Sequence, residues 1–572
     1  MKSKLLKLTI YLILTGFIQT GFSQITNFKL IGKKVSLFEK SEWDIELKAK
    51  WSNPYLFNDV ALDMVIISDK GKKYTLPCYF ISGTSANTSS WKARFAPREI
   101  GMHKYYFVLS EKNQKIDSSS VSNFKVGKST KKGILHPSNN WTFQYDNGEH
   151  FRGIGENIGW ESRDSDDSKY FKALHEDTKF NYEYMVRKLA SNGGNYFRTW
   201  MCPWNLPLEW KNPVNNKRYS SSDEHFNPSA IAKIDRLINL CDSLDVHIML
   251  AIDAHGNFMG DSWKNSNYNK LNGGPVETVN EFFTNEKAKI QYKSKLRYLV
   301  GRWGYSPAIG AWEFFNEIDN AIYGSKDTIL ISHEIIRAWH AEMSTYFKQI
   351  DPYQHIVTTS ISHRDIKGLN EIKNIDLNQK HIYRHTDAIP EVINEYLKYG
   401  KPYVIGEYGY HWDWSINFNE VANEFDDDFK KGLWLGLFSP TPILPMTWWW
   451  EFFDDRGTIT YVSKVREIYD LMMKSGKGQF QQLTINLNNK DCKAYGVICG
   501  KKVFIYLINY ADSKSVTEIS YSVGNQKFTQ FQIFDTSTGK YGKKKKCSVS
   551  KGNFTISDFN FDGNKDCILI VE

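Results

Sequence analysis

From residue 24 to about 127, apolar and polar positions alternate in short runs. Trp43, Ile45 and Leu47 stand between charged or polar neighbours, and further runs follow at 61–67, 74–81, 91–97 and 105–107. Turn residues separate them at roughly the 8–12 residue spacing of a β-sandwich. A stretch rich in Lys, Ser and Thr, 128–133, reads as a linker. Between 134 and 478 the period changes. Asn227 and Pro228 are a helix cap and first turn, after which Ile231, Ile234, Leu237, Ile238, Cys241 and Leu244 fall on one face. Helices are predicted from 228 and at 181–191, 284–300, 328–349, 390–399, 420–436 and 462–474. Apolar strand runs alternate with them at 151–155, 195–200, 246–252, 309–315, 355–361, 377–383, 402–407 and 443–449. This α/β alternation predicts a (β/α)8 TIM barrel, with a doubly wound sheet as the alternative that pattern alone leaves open. From 479 to 572 the runs are strand-like again (483–487, 494–499, 503–509, 528–534, 567–571) and predict a second β-sandwich.

The first 23 residues stand apart. Lys2, Lys4 and Lys7 precede an apolar run from Leu8 to Ile18, and small residues follow. This is the pattern of a secretory signal peptide, and the run is too short to span a bilayer. The expectation is an exported protein without a membrane span. Aromatic residues make up 15% of the 572-residue chain, a richness that favours a carbohydrate or aromatic ligand. Net charge is +9, and Lys543–Lys546 form a basic run between turn-like and strand-like residues, read as a solvated loop. No nucleic-acid motif accompanies it. The spacing of the seven Cys allows Cys492 to pair with Cys499 and Cys547 with Cys567, while Cys78 and Cys241 read as buried thiols. No metal-ligand framework and no cofactor motif is evident. Gly153, Gly155 and Gly159 have the wrong spacing for a dinucleotide loop. The acidic run Asp558–Asp566 resembles the start of a calcium loop but has Leu569 at the twelfth position, so a β-turn is the reading.

Two predicted strands end in a carboxylate. The fourth runs into Trp312-Glu313-Phe314-Phe315-Asn316-Glu317, and the seventh into Val404-Ile405-Gly406-Glu407. A carboxylate at a barrel strand end is costly unless it is paired or functional. Two facing each other are what hydrolysis of an acetal requires. Asn316-Glu317 and Glu407 resemble the acid/base and nucleophile of clan A glycoside hydrolases, the family 5 cellulase and mannanase group in particular. Arg198 resembles that family's arginine near the nucleophile, and His255 its substrate-contacting histidine. His381-Ile382-Tyr383 resembles the strand-six pair whose Tyr bonds the nucleophile, and Trp448-Trp449-Trp450 the aromatic platform at strand eight. The sequence departs from the family at Ile318, where Pro is usual. Residues 24–127, with Trp91-x-x-Arg94-Phe95-x-Pro97, resemble the immunoglobulin-like domain that precedes the barrel in some exported hydrolases.

The resemblance implies a retaining β-glycosidase acting on a plant or algal polysaccharide or its oligosaccharides. Glu317 is the acid/base and Glu407 the nucleophile. Arg198, His255, Asn316, His381, Tyr383, Trp448 and Trp450 are the expected supporting or substrate-binding residues. Arg198 would keep Glu407 ionised, burial would raise Glu317, and Asn316 would donate to the sugar 2-hydroxyl. Strand alternation places Trp448 and Trp450 on one face. Trp160, Trp204 and Trp263 follow strands one to three and are candidates for the cleft wall. Glu313, Glu156 and Glu451 read as structural. The competing class is a non-catalytic carbohydrate-binding protein on the same scaffold.

Overall fold

The computed structural model describes residues 24–522 except Lys33, together with 528–547, 549–550 and 552–572. The leader expected over residues 1–23 lies outside the described residues. The centre of the fold is one parallel sheet of seven strands in chain order. These are Gly155–Asn157, Tyr196–Trp200, His247–Ala254, Ile309–Asn316, Val357–Ile361, Leu377–Tyr383 and Tyr403–Gly409. Nearly every residue in them is buried, which is why the sequence reads as continuous apolar runs rather than alternation. Helices occupy the crossovers. The helix Pro228–Leu244 starts where expected, with the Asn227 side chain accepting from the amides of Ser229 and Ala230. The helix expected from 328 begins at His333, because Ser332 caps it by accepting from the Ile335 amide.

The sheet curls until its edges nearly meet. Residues 443–447 stand between them and make isolated parallel bridges from Ile443 to Gly153 and from Thr447 to both Glu156 and Tyr408. Their hydrogen bonds run to both sides: the Leu444 amide to Gly153 (2.9 Å), the Met446 amide to Ile405 (3.2 Å). The continuous eighth strand expected at 443–449 does not form, because Pro442 and Pro445 lack the donor a ladder needs. The first strand is also displaced from 151–155 to Gly155–Asn157. Phe151 instead belongs to a small antiparallel sheet (Leu135–Pro137, Phe143–Tyr145, His150–Phe151). Leu135, Phe143, Tyr145 and Phe151 form one cluster with barrel residues Tyr196, Met249, Ala311, Leu377 and Val404, closing one end of the barrel.

Two further sheets precede the barrel and two follow it. In the first pair, Ser41–Lys48 alternates buried and less buried positions, and Trp43 meets Tyr105 and Phe124 of the other sheet at 5.6 and 5.4 Å. The run expected over 74–81 is divided into Lys73–Pro77 and Tyr79–Gly83. Arg94, in the motif singled out above, anchors this unit to the barrel: it donates to Asp235 (3.2 Å) and to the Arg302 carbonyl (3.1 Å). After the barrel, Ser515–Ser522 and Asn553–Phe561 are strands that the sequence reading missed. All described cysteines carry free thiols. Cys492 and Cys499 end the same strand, about 23 Å apart on an extended backbone, far beyond disulfide reach. The acidic run spans the end of the strand Asn553–Phe561, a turn at 562–564 and the start of the strand Lys565–Val571, and Asp566 accepts from Tyr506 (2.6 Å) and Thr536. Among the described residues no helix is long and apolar enough to cross a membrane.

One contact fixes how the first two barrel strands approach. A Cβ added to Gly155 would lie 1.6 Å from the Tyr196 carbonyl oxygen. Backbone cannot retreat as a side-chain end can, so Gly155→Ala should cost about 3 kcal/mol or more. A thermal melt followed by circular dichroism should show a drop in Tm of several degrees or loss of soluble protein; an unchanged Tm would contradict this packing.

Candidate active site

Arg198, in the second strand, is fully buried, and all its polar atoms are engaged. Its Nε and Nη2 donate to the two Glu313 oxygens (2.6 and 2.8 Å), its Nη1 to Glu407 Oε1 (2.7 Å) and Asn157 Oδ1 (3.1 Å), and its Nη2 also to Asn316 Oδ1. A bidentate pair of this kind fixes the plane of the guanidinium. Glu313, read as structural, is that fixing partner.

Glu407 reaches this cluster through a backbone irregularity. The pairing of strands six and seven shifts register so that Lys380 faces Ile405 but His381 faces Glu407, leaving Gly406 as an extra residue. A bulge re-aims the side chains that follow it. A Cβ at Gly406 would lie 2.4 Å from the buried Gln379 side chain, which would have to move to admit any larger residue. The Asn157 amide reinforces the bulge by donating to the Gly406 carbonyl (2.9 Å). The second oxygen of Glu407 accepts from Tyr383 (2.7 Å) and lies 3.4 Å from His381 Nδ1. Burial favours the neutral acid, but the His381 charge, with Arg198 and Tyr383, overcomes burial and holds the Glu407 carboxyl down at about 2.

Glu317 follows the fourth strand with φ 49° and ψ 52°, in the left-handed region. Such strain in a non-glycine residue persists only where surroundings enforce it. Here its amide donates to Ser360 Oγ (2.9 Å), and Asn320 Nδ2 donates to its Oε2 (2.8 Å). His381 Nδ1 is 2.8 Å from Oε1, and His255 Nδ1 3.5 Å from Oε2. His381 therefore lies between the two carboxylates. Burial would lower its pKa, but the Glu407 charge and the contact with Glu317 prevail and raise it to about 9. Oxygens of Glu317 and Glu407 and a nitrogen of His381 all fall within 4.8 Å of one another. They are the one cluster among the described residues with metal-ligand spacing. The set already holds the Arg198 guanidinium and a protonated imidazole, so a divalent ion there would meet like charge.

A cleft of ≈730 Å³ opens over these groups. Glu317, Glu407, His381, Tyr383, His255 and Trp448 all line it. Asn316 does not: it is fully buried beneath the floor, with Nδ2 facing His255 Nδ1 at 3.1 Å. Its Oδ1 accepts from Arg198, so it ties these two neighbours together from below the floor. Trp450 does not line the cleft either. It starts the short helix Trp450–Asp455 and packs edge-on behind Trp448 and Trp160 (5.2 Å each), because the chain turns helical before strand alternation can present it. Trp160 and Trp204 line the cleft, whereas Trp263 is buried and donates to the Glu277 carbonyl (2.7 Å). Sequence reasoning missed Asn320, Trp412 and Trp414. Asn320 had a signal, since three residues after Glu317 places it on the same face of a turn. The two tryptophans lie in an irregular loop without periodicity.

The comparisons with known proteins agree in direction. A family profile described as "Domain of unknown function (DUF5060)" matches residues 34–110. The chain is 25% identical over 261 residues to mannan endo-1,4-beta-mannosidase A of Podospora anserina, covering 39% of this chain and 64% of that protein. It is 22% identical over 253 residues to mannan endo-1,4-beta-mannosidase 8 of Oryza sativa subsp. japonica, covering 36% and 65%. The chain thus spans just under two thirds of the length of these curated relatives. A crystal structure of a candidate glycoside hydrolase from Bacteroides vulgatus superposes with a TM-score of 0.63 at 12% identity, over 94% of this chain and 99% of that one. That match extends the shared fold across the barrel and both flanking units.

The charge cluster gives stability a definite pH dependence. His381, raised from 6.5 to about 9, contributes fully below pH 6.5 and loses its contribution as pH rises through 9. Glu407, lowered from 4.5 to about 2, contributes fully above pH 4.5 and loses its contribution as pH falls toward 2. Tm should therefore decline between pH 6.5 and 9, and His381→Gln should flatten that decline. Parallel Tm curves for both proteins across this window would contradict the charged imidazole.

Proposed function

We propose that this chain is a retaining glycoside hydrolase that cleaves β-linked plant polysaccharide, with β-1,4-mannan as the leading substrate. The observation that carries the proposal is the pair Glu317 and Glu407, with oxygens within 4.8 Å of each other at the ends of strands four and seven, inside an aromatic cleft. Carboxyl groups roughly 5–5.5 Å apart leave no room for a water between them and the sugar, which is the retaining arrangement. The mannosidase relatives support the choice of sugar.

Each carboxylate then has one role. Glu407, held ionised by Arg198 and Tyr383, attacks the anomeric carbon. Glu317 gives its proton to the departing oxygen, with His381 at 2.8 Å as the neighbour that exchanges a proton with it. A glycosyl ester on Glu407 results. Glu317, now a base, takes a proton from water as that water attacks, and the original anomeric configuration returns. Trp448 offers its face to the sugar being cleaved. The buried Glu313 and Asn316 act through Arg198 and His255. The N-terminal unit is read as immunoglobulin-like, the C-terminal unit as a second β-sandwich, and the protein as exported.

The test is product analysis on β-mannan and on an aryl β-mannoside, with proton NMR of the first product formed. The β anomer should appear first. Glu317→Gln should lower kcat on the polysaccharide by about 10²–10⁴, and Glu407→Gln should abolish turnover of both substrates. An initial α anomer, or full activity in Glu407→Gln, would sink the proposal.

A further inference from the structure

Glu317 is followed by a short helix, Ile318–Ile322, whose first turn is tied to the loop that leaves strand five. Asp319 makes the tie. It is fully buried, and its carboxylate accepts from the amides of Ser362 (2.7 Å), His363 (3.3 Å) and Arg364 (3.2 Å) and from Ser362 Oγ (2.6 Å). Burial alone would favour the neutral acid, but these donors outweigh it and hold the Asp319 carboxyl below the usual carboxylate range. The tie brings the Arg364 side chain against Asn320.

Arg364 is held on three sides. Its Nη1 donates to Asp327 (3.0 Å), its Nε stands 3.5 Å from Asp319, and its guanidinium lies 4.7 Å from the centre of the Tyr323 ring. Its Nη2 donates to Asn320 Oδ1. Ser362 Oγ is 3.3 Å from the same oxygen but spends its one proton on Asp319. A side-chain amide has an accepting end and a donating end, whereas a guanidinium can only donate. Arg364 therefore decides which way Asn320 faces. With the oxygen turned to Arg364, Nδ2 points at Glu317 Oε2 and donates to it at 2.8 Å. Turned over, the amide would set N–H against N–H at Arg364 and oxygen against oxygen at Glu317. Asn320 lines the catalytic cleft and Arg364 does not, so the guanidinium acts on the carboxyl without reaching a substrate.

We propose that Arg364 is a positioning residue for the acid/base: through Asn320 it fixes the rotation of the Glu317 carboxyl, and with it the direction in which the proton reaches the departing oxygen. The inference rests on the hydrolase reading and deepens it. His381 holds Oε1 from the other side at 2.8 Å. Without the Asn320 bond, Oε2 keeps no contact closer than His255 at 3.5 Å, and the carboxyl is tethered at one oxygen. The loss falls on protonation of the leaving group and on activation of water, the two steps in which Glu317 moves a proton.

The test compares the unmutated protein with Arg364→Met, Arg364→Lys and Asn320→Ala on two aryl β-mannosides, one whose dinitrophenolate departs without a proton and one whose phenol needs it. On the phenyl substrate kcat/KM should fall about tenfold in Arg364→Met and in Asn320→Ala, part of the roughly 10²–10⁴ that a general acid contributes. On the dinitrophenyl substrate kcat/KM should hold within about twofold, while kcat and KM fall together as the glycosyl-enzyme accumulates. Arg364→Lys, still a pure donor, should recover most of the loss. A merely structural role does not distinguish leaving groups, so an equal fall on both substrates, or no fall on either, would overturn the proposal. Asn320→Ala leaves every Asp319 bond in place and carries the same comparison if Arg364→Met does not fold. An unmutated protein that turns over neither mannoside would count against the hydrolase reading, and crystal structures of the unmutated and Arg364→Met proteins then decide the positioning: an Asn320 side chain drawn away from Glu317 supports it, and one that has not moved overturns it.

Discussion

The site depends on one buried guanidinium. Removing an ion the size of Arg198 from water costs several kcal/mol, and only well-formed ion pairs offset that cost. Glu313 supplies the offset with two parallel bonds, which leave a single nitrogen pointing at Glu407. The order of partners matters. Glu313, the bidentate one, sets the position, while Glu407 is reached by one bond from Arg198 and accepts from Tyr383 on its other oxygen. Strands one, two, four and seven all contribute to this cluster, through Asn157, Arg198, Glu313 and Glu407. The electrostatics of the site and the closure of the barrel are thus the same contacts. His381 completes the cluster between the two carboxyl groups, 2.8 Å from Glu317 and 3.4 Å from Glu407.

Regular strands would not deliver either carboxylate. Glu407 faces the cleft because Gly406 is an extra residue in the ladder, and Glu317 because the chain turns left-handed immediately after Asn316. Left-handed backbone at a non-glycine residue costs of order 1–3 kcal/mol, here countered by the bonds from the Glu317 amide to Ser360 and from Asn320 to its carboxylate. Both irregularities occur at the positions that hold the carboxylates. The rest of the barrel keeps its parallel ladder, apart from one further register shift at Ile248/Met249.

This division explains what could be read from the sequence. Parallel strands buried on both faces leave unbroken apolar runs, so six barrel strands were legible within a few residues, as were Glu317 and Glu407 at two of their ends. The first run, 151–155, was misplaced because Phe151 belongs to the sheet that closes the barrel end, and an apolar residue gives no sign of which layer it enters. The run at 443–449 was legible as apolar, but its prolines reduce it to bridges. Placement within the site was harder. Asn316 and Trp450 are set by a register and by a helix start, neither of which periodicity records. Ser515–Ser522 was missed because Val516 faces outward while Ser515 and Thr517 face inward, so alternation is faint.

Contacts made equally to substrate and transition state do not speed the chemical step; only those that strengthen in the transition state do. The catalytic cleft concentrates charge on a rigid frame, where buried dipoles and ions act strongly on developing charge. Orientation of the reacting groups then comes from this frame itself, without a further charge added to the cluster around Arg198 and His381.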